Sequence, residues 1–504
     1  MKTKAVLAVS LACTLAFASA QVQTPPKMKM TTDIPSDIIT PDTVETPIGT
    51  LKLIDGYPDD ATTQKVYDNL DFQRGVQAFL NSMPGAAITA FRPALRKLGG
   101  VDGNVIIFED LMDSKALWLT ANTTVVYYMS WVDTKNGPVV AETPPNTLGV
   151  MDDHWFRYVC DFGNAGPDKG KGGKFLILPP GYKGDVPEGY IVERPATYGV
   201  WLAGRGFLVD GDPKPAVAVI KKTLRIYPLA QAANPPVSKF TNVSGIPHNT
   251  VHANNFHFFE EVNDIVQEEP AEALDPETLG LLASIGIEKG KPFAPDDRMK
   301  KILTQAAAVG NVTARALTFR TRIKDAYYYP GSAWYSCMPG GSYDFLSQPG
   351  VRNLDARVLM HYYATGITPA MSVKMVGAGS QYAAAVTDST GKPLDGGRTY
   401  KIRLPANVPM KNFWSFTLYD NQTRSMLQTD QQFPSVSSTD KGVVTNPDGS
   451  VDVWFGPTLP QGVNKANWAQ TIPGKGWNVL FRLYSPLEPW FDKTWRLGEF
   501  ELVK

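Results

Sequence analysis

Strand-like and helix-like segments in this 504-residue chain come in blocks rather than in alternation. A strand-rich block lies before position 230, helical signals follow, and strand signals return after 355. Interleaved strands and helices would build a parallel sheet, whereas clustered ones build separate layers, so a purely parallel α/β fold is disfavoured. The expectation is a mainly β chain with a helical insert, an α+β fold in which two jelly-roll-like β-sandwich domains flank a helical segment.

The first β block rests on 123–131 (TTVVYYMSW), 174–178, 190–193 and 198–202, separated by turns such as Pro179-Pro180-Gly181. Ahead of it, Val66, Leu70, Phe72, Val76, Phe79 and Leu80 repeat at near-helical spacing, with Pro84-Gly85 expected to stop the helix. Residues 213–227 read as a further helix. In the centre, Phe256, Phe259, Val262, Ile265 and Val266 make one apolar stripe, and Asp275-Pro276-Glu277 is a helix start. A longer helical stretch over 296–323 contains Gly310 as an expected interruption. The second β block comprises 357–363, 400–404, 412–419, 451–455 and 477–484, with Asp448-Gly449 as a hairpin-turn signal. The domain reading is a signal peptide at 1–20, a flexible leader at 21–60, a β-sandwich at 61–230, a helical linking segment at 231–350 and a second β-sandwich at 351–504.

Lys2 and Lys4, the apolar run 5–17 and Ala18-Ser19-Ala20 fit a bacterial secretory signal peptide. Cleavage near Ala20 would export the protein to the periplasm or medium. No later stretch is apolar for long enough to span a bilayer. Cys160 and Cys337 then remain, expected as separate buried thiols rather than a pair.

Lys plus Arg and Asp plus Glu are both 49. That balance argues against nucleic acid as a partner. The stretch 166–171 has the wrong spacing for a phosphate loop, and 377–382 lacks the third glycine of a dinucleotide fingerprint, so no nucleotide cofactor is expected.

Two constellations carry chemistry. His248, His252 and His257 are spaced H-x3-H-x4-H, and three imidazoles can hold Zn or Cu with an open position. The same residues also suit an ordinary polar helix start, which the sequence favours, so a metal is disfavoured. The second constellation is aromatic and acidic. Trp334, Tyr335, Tyr343, Trp414 and Arg424 are the substrate-binding candidates, and Asp344 and Asp420 the catalytic carboxylates. Flat rings stack on sugars, and paired carboxylates do acid/base hydrolysis. Large rings also serve as core packing.

The strings TTVVYYMSWVD (123–133), DFGNAGPDKGKGGKFLILPPGY (161–182) and GRGFLVDGDPKPAV (204–217) resemble the family called domain of unknown function 1254. TPAMSVKMVGAGSQY (368–382), NFWSFTLYDNQTRSMLQTDQQFPS (412–435) and the stretch 474–501 resemble its usual companion, domain of unknown function 1214. Residues 252–296 resemble the helical stretch between them. The resemblance implies tandem jelly-roll sandwiches and no shared activity. Where relatives carry an N-x-D-T string, this chain has Asn122-Thr123-Thr124.

The functional expectation is an exported protein that binds or hydrolyses a carbohydrate-like or other polar small molecule. Alternatives are a structural, homo-oligomeric jelly-roll assembly protein and a metal-dependent enzyme built on the 248–257 histidines.

Overall fold

Val125–Asp133 is a strand with both faces buried. Val126, Tyr128 and Val132 pack into one core, whereas Met129 and Trp131, pointing the other way, pack into another. The two-residue period of a strand makes this division, and it explains why the segment is apolar without alternation. Gly199–Phe207 repeats the pattern, with Val200 and Leu202 on one side and Trp201 and Ala203 on the other.

The computed structural model describes residues 28–503, so the expected signal peptide lies outside the described residues. Backbone packing divides the chain after Tyr67. The first unit contains a three-stranded antiparallel sheet, Thr43–Thr46, Gly49–Ile54 and Tyr57–Pro58, where composition predicts a flexible leader.

The second unit holds the main layers. A six-stranded sheet runs in the order Phe240–Asn242, Val105–Ile107, Val125–Asp133, Gly199–Phe207, Thr147–Asp153 and Tyr158–Gly163. A four-stranded sheet of Ile191–Glu193, Lys174–Ile177, Val139–Glu142 and Arg225–Pro228 shares an apolar core with it. Further along, Ser380–Ala385, Trp477–Tyr484, Trp414–Asp420 and Ser435–Ser437 form one four-stranded sheet. Trp468–Gln470, Val451–Gly456, Tyr400–Leu404 and Glu501–Leu502 form another, and these two sheets also share a core. No sheet among the described residues closes into a barrel.

The helices form a core of their own. It includes Phe79 of Asp60–Asn81, Ala86 of Met83–Thr89, Val262 of His257–Glu268, Ala307 of Asp297–Phe319 and Tyr362 of Leu354–Tyr363. No helix of the described residues is long and apolar enough to cross a membrane.

Several local expectations change. Pro84 does not end helical structure; it sits in the first turn of a new helix, where its missing N–H costs nothing. Residues 357–363 are helical rather than extended. Asn353 caps that helix through the Ala356 N–H, and Ala356 and the run Val358–Tyr363 are buried, so no polar stripe marks the helical period. Gly310 does not interrupt its helix. A Cβ there would stand 2.6 Å from the Phe79 ring, so glycine permits the close approach. The 213–227 stretch divides into a helix, Lys214–Thr223, and a strand, Arg225–Pro228. Asp448-Gly449 turns the chain, but the strand that follows pairs with Tyr400–Leu404 and Trp468–Gln470, not with the strand before it.

Candidate functional site

The outer face of the six-stranded sheet meets the outer face of the 380–385/477–484/414–420 sheet in a middle apolar layer, completed by the Leu354–Tyr363 helix. This layer is not completely filled. It contains a cavity of about 870 Å³ of space between atoms, of which about 60 Å³ admits the centre of a water molecule. Every lining residue except Tyr127, Arg205 and Thr365 is buried. Five lining residues are methionines: Met112, Met129, Met338, Met360 and Met371. Unbranched thioethers adapt to the shape of what they enclose.

Two cations enter this apolar space, one from each sheet. Arg205 continues the face of Trp201 and Ala203, across the ladder from Tyr127 and Leu148. Its Nη1 donates to the Tyr382 hydroxyl at 3.3 Å, and Nη2 lies 3.7 Å from Met371 Sδ. Arg482 alternates with Leu480 and lies across the ladder from Tyr382. Its Nη2 donates to the Thr120 carbonyl and, at 2.5 Å, to the Tyr419 hydroxyl, while the guanidinium sits 5.2 Å from the Tyr382 ring centre. Neither arginine forms an ion pair among the described residues. Burying a cation against rings and neutral oxygens, without an ion pair, leaves much of its desolvation cost unmet.

Three further donor atoms in the lining lack acceptors. Arg482 Nε, Trp201 Nε1 and Thr365 Oγ1 are buried and have no hydrogen-bond partner. One acid lines the wall. Asp161 accepts from Thr368 Oγ1 at 2.5 Å, and burial pushes its carboxyl up to about 6, against the opposing pull of Thr368 and Arg205. The Cys337 thiol, also in the wall, is pushed up to about 12 by burial and stays protonated. Cys160 and Cys337 are both free. Next to the cavity, Asn122 Nδ2 donates to the Tyr127 hydroxyl at 3.0 Å and to the Tyr484 hydroxyl at 2.6 Å. Its Oδ1 accepts from the Thr124 N–H at 3.0 Å, so Asn122-Thr123-Thr124 joins the two β regions.

The residues nominated from sequence are dispersed. Trp334 and Trp414 are buried in the core between the two C-terminal sheets, and Tyr335 lies in the middle layer. Arg424 is fully buried, 3.8 Å from the Tyr362 ring centre. Asp420 pairs with Lys475. Tyr343 and Asp344 line a different cleft, so the two nominated carboxylates do not face one space.

His248 Nε2 accepts from Trp118 Nε1 at 2.7 Å, His252 is buried against the Ala253 carbonyl at 2.9 Å, and His257 is exposed beside Glu260. They do not form a metal-ligand group. Among the described residues, His154, Glu268 and Glu269 could hold a metal ion. Their atoms already have partners: His154 Nδ1 bonds Glu269 at 2.7 Å, Glu269 accepts from the Tyr198 and Gly199 N–H groups, and Glu268 pairs with Arg92. That donor set disfavours a metal.

Arg205 and Arg482 escaped the sequence reading. Arg205 lies just beyond the expected end of its strand at 202. Arg482 was within an expected strand, and the signal was a charged residue inside WNVLFRLY, all of it buried.

Residues 103–228 match a family model described as protein of unknown function DUF1254, and residues 379–488 match one described as protein of unknown function DUF1214. The chain carries both domains, as its strings suggest, and the cavity takes Arg205 from the first and Arg482 from the second. No curated protein matches the chain. Among solved structures, one protein of Vibrio parahaemolyticus is 19% identical with a TM-score of 0.53, covering 86% of this chain and 100% of that one. That likeness shows a shared fold. A protein of Burkholderia cenocepacia is 12% identical with a TM-score of 0.38, covering 88% and 97%.

Proposed function

We propose that this is an exported binding protein whose central cavity takes a small apolar acid, a single-ring or short-chain carboxylate. The observation that carries the reading is the pair of guanidiniums at a methionine-lined wall, half-buried Arg205 and buried Arg482, neither of which forms an ion pair among the described residues. A bound carboxylate supplies the missing charge and acceptors, and its apolar body meets the methionines. The 60 Å³ open to water centres corresponds to about four to six waters, which suits one ring better than a long chain.

Calorimetric titration with benzoate, hexanoate and benzyl alcohol tests this. The two acids bind, the neutral alcohol binds at least tenfold more weakly, and Arg205→Gln abolishes the difference. Equal binding of acid and alcohol, or no binding of either acid, defeats the reading.

Each pair of facing sheets is read as a jelly-roll-like sandwich. The C-terminal pair supports this best, with eight strands in two four-stranded sheets around one core. A metal-dependent role is the second reading: the ligand atoms of His154, Glu268 and Glu269 lie within 4.8 Å of one another, although an ion there would have to displace their present partners. About one equivalent of Zn or Cu in purified protein, lost in His154→Ala, would support it over the binding role.

A further inference from the structure

A second cleft, away from the central cavity, holds about 820 Å³ of space between atoms, of which about 180 Å³ admits the centre of a water molecule. Its walls come from the 155–157 turn, the 273–278 segment, the 343–345 loop and the Leu354–Tyr363 helix.

Its charges are unevenly matched. Arg157 is paired with Asp153. Arg352 and Arg357 have no ion pair among the described residues. Arg352 Nη1 donates to the Asp344 backbone carbonyl at 2.7 Å. Arg357 Nη2 reaches Asn81 Oδ1 at 3.3 Å, while its Nε is buried without a partner. Burial and the neighbouring Arg352 pull the Arg357 guanidinium down to about 10. Two like charges share one wall, with Asp275 as the acid whose charge acts on Arg357.

The acceptors are equally idle. Asp275 is committed to capping its helix through Thr278, but the Asp344 carboxylate on the rim accepts no hydrogen bond among the described residues. His361 is held between the Phe156 and Phe345 rings, each with its centre 5.2 Å away. Its Nδ1–H donates to the Arg357 carbonyl at 2.9 Å, and its Nε2 has no partner. Burial lowers the ring to about 4, against opposing pulls from the Arg357 and Phe156 backbone, so at neutral pH Nε2 carries a lone pair. Trp155 and Tyr343 add flat apolar surface to the same walls.

We propose that this cleft is a second binding site, for a hydroxylated carboxylic acid of the sugar-acid class. The carboxylate would meet Arg352 and Arg357, hydroxyl donors would meet Asp344 and His361 Nε2, and the apolar face of the ring would lie on Trp155 or Tyr343. A neutral sugar leaves the arginines unmet, and a bare anion leaves the acceptors unmet. With three times the water-accessible space of the central cavity, the cleft suits a monosaccharide.

The test uses full-length protein with glucuronate, glucose and inorganic phosphate, followed by calorimetry or ligand-observed NMR. Glucuronate binds at least tenfold more tightly than either glucose or phosphate. Exposed Arg352 and Asp344 tolerate substitution, and Arg352→Gln or Asp344→Asn weakens glucuronate at least fivefold. Arg205→Gln in the central cavity leaves glucuronate binding unchanged, so this site and the central one fail separately. No glucuronate binding, unchanged affinity in Arg352→Gln, or phosphate binding as tightly as glucuronate overturns the proposal.

Discussion

The Arg205 guanidinium donates to the Tyr382 hydroxyl at 3.3 Å, linking the six-stranded sheet to the C-terminal sheet across the cavity wall. Arg205 forms no ion pair among the described residues, so its half-buried charge carries a desolvation cost that the nearby Asp161 offsets only in part. Arg205→Met removes that burden and fills similar volume. Its melting temperature in ligand-free protein is expected at or above that of the wild type, while carboxylate binding is lost. Replacing a buried charge with a packed apolar side chain often has this sign. A large drop in melting temperature would show that the guanidinium holds the fold.

Carboxylate affinity at the central cavity should rise as pH falls from 7 to 5. Asp161, held up to about 6 by burial, loses its negative charge over this range. Arg205 and Arg482, whose guanidiniums are held above their ordinary range, stay cationic, and the Cys337 thiol stays neutral. The ligand must itself remain ionised, as benzoate does over most of the range. Asp161→Asn should bind more tightly at pH 7 and lose the pH dependence. Titrations at three pH values decide it.

Glu261 gives a stability signature. Burial first, then Asp264 and Glu260, raises its carboxyl to about 8, against a pull from the Ala253 N–H. The folded state therefore keeps a proton that the unfolded state releases above about 4.5. Stability from this group falls as pH rises from there through 8. Glu261→Gln cannot ionise and still accepts from Ala253, so melting temperatures from pH 6 to 9 should decline less than in the wild type.

Gly310→Ala places a Cβ 2.6 Å from the Phe79 ring, where the helical core has no room to give. Overpacking of this kind costs about 1–3 kcal/mol. Chemical denaturation should show a lower midpoint with an unchanged slope.

Cys160 and Cys337 are free and buried, and burial raises both thiols. Iodoacetamide at pH 8 should leave both unmodified in the folded protein and alkylate both in denaturant. Modification of the native protein would place one of them at a surface.

Strands were the most legible elements. Tyr400–Leu404 and Trp477–Tyr484 lie where composition predicts them, because β-branched and aromatic residues bounded by turn residues are a local signal. The Leu354–Tyr363 helix was not legible. Its all-round burial erases the polar face that reveals a helix, and only the packing around it shows why no such face is needed. The site was less legible still. Tyr343 and Asp344 do line a cleft, but Trp334 and Trp414 are core, and both cavity arginines went unread.

Sequence alone determined the order of blocks, the family strings and the parity of each strand, because side-chain direction repeats every two residues along one segment. That parity already placed Arg482 with Leu480, whereas Arg205 lies in a part of its strand, beyond 202, that composition does not reveal. Tertiary structure decided that those two faces meet. The contact joins strands from opposite ends of the chain, and nothing local to either strand records which distant face covers it. Charge in the cavity is a property of that meeting: each arginine by itself is one cation in one strand, and only the packed layers bring both to one apolar space where neither forms an ion pair.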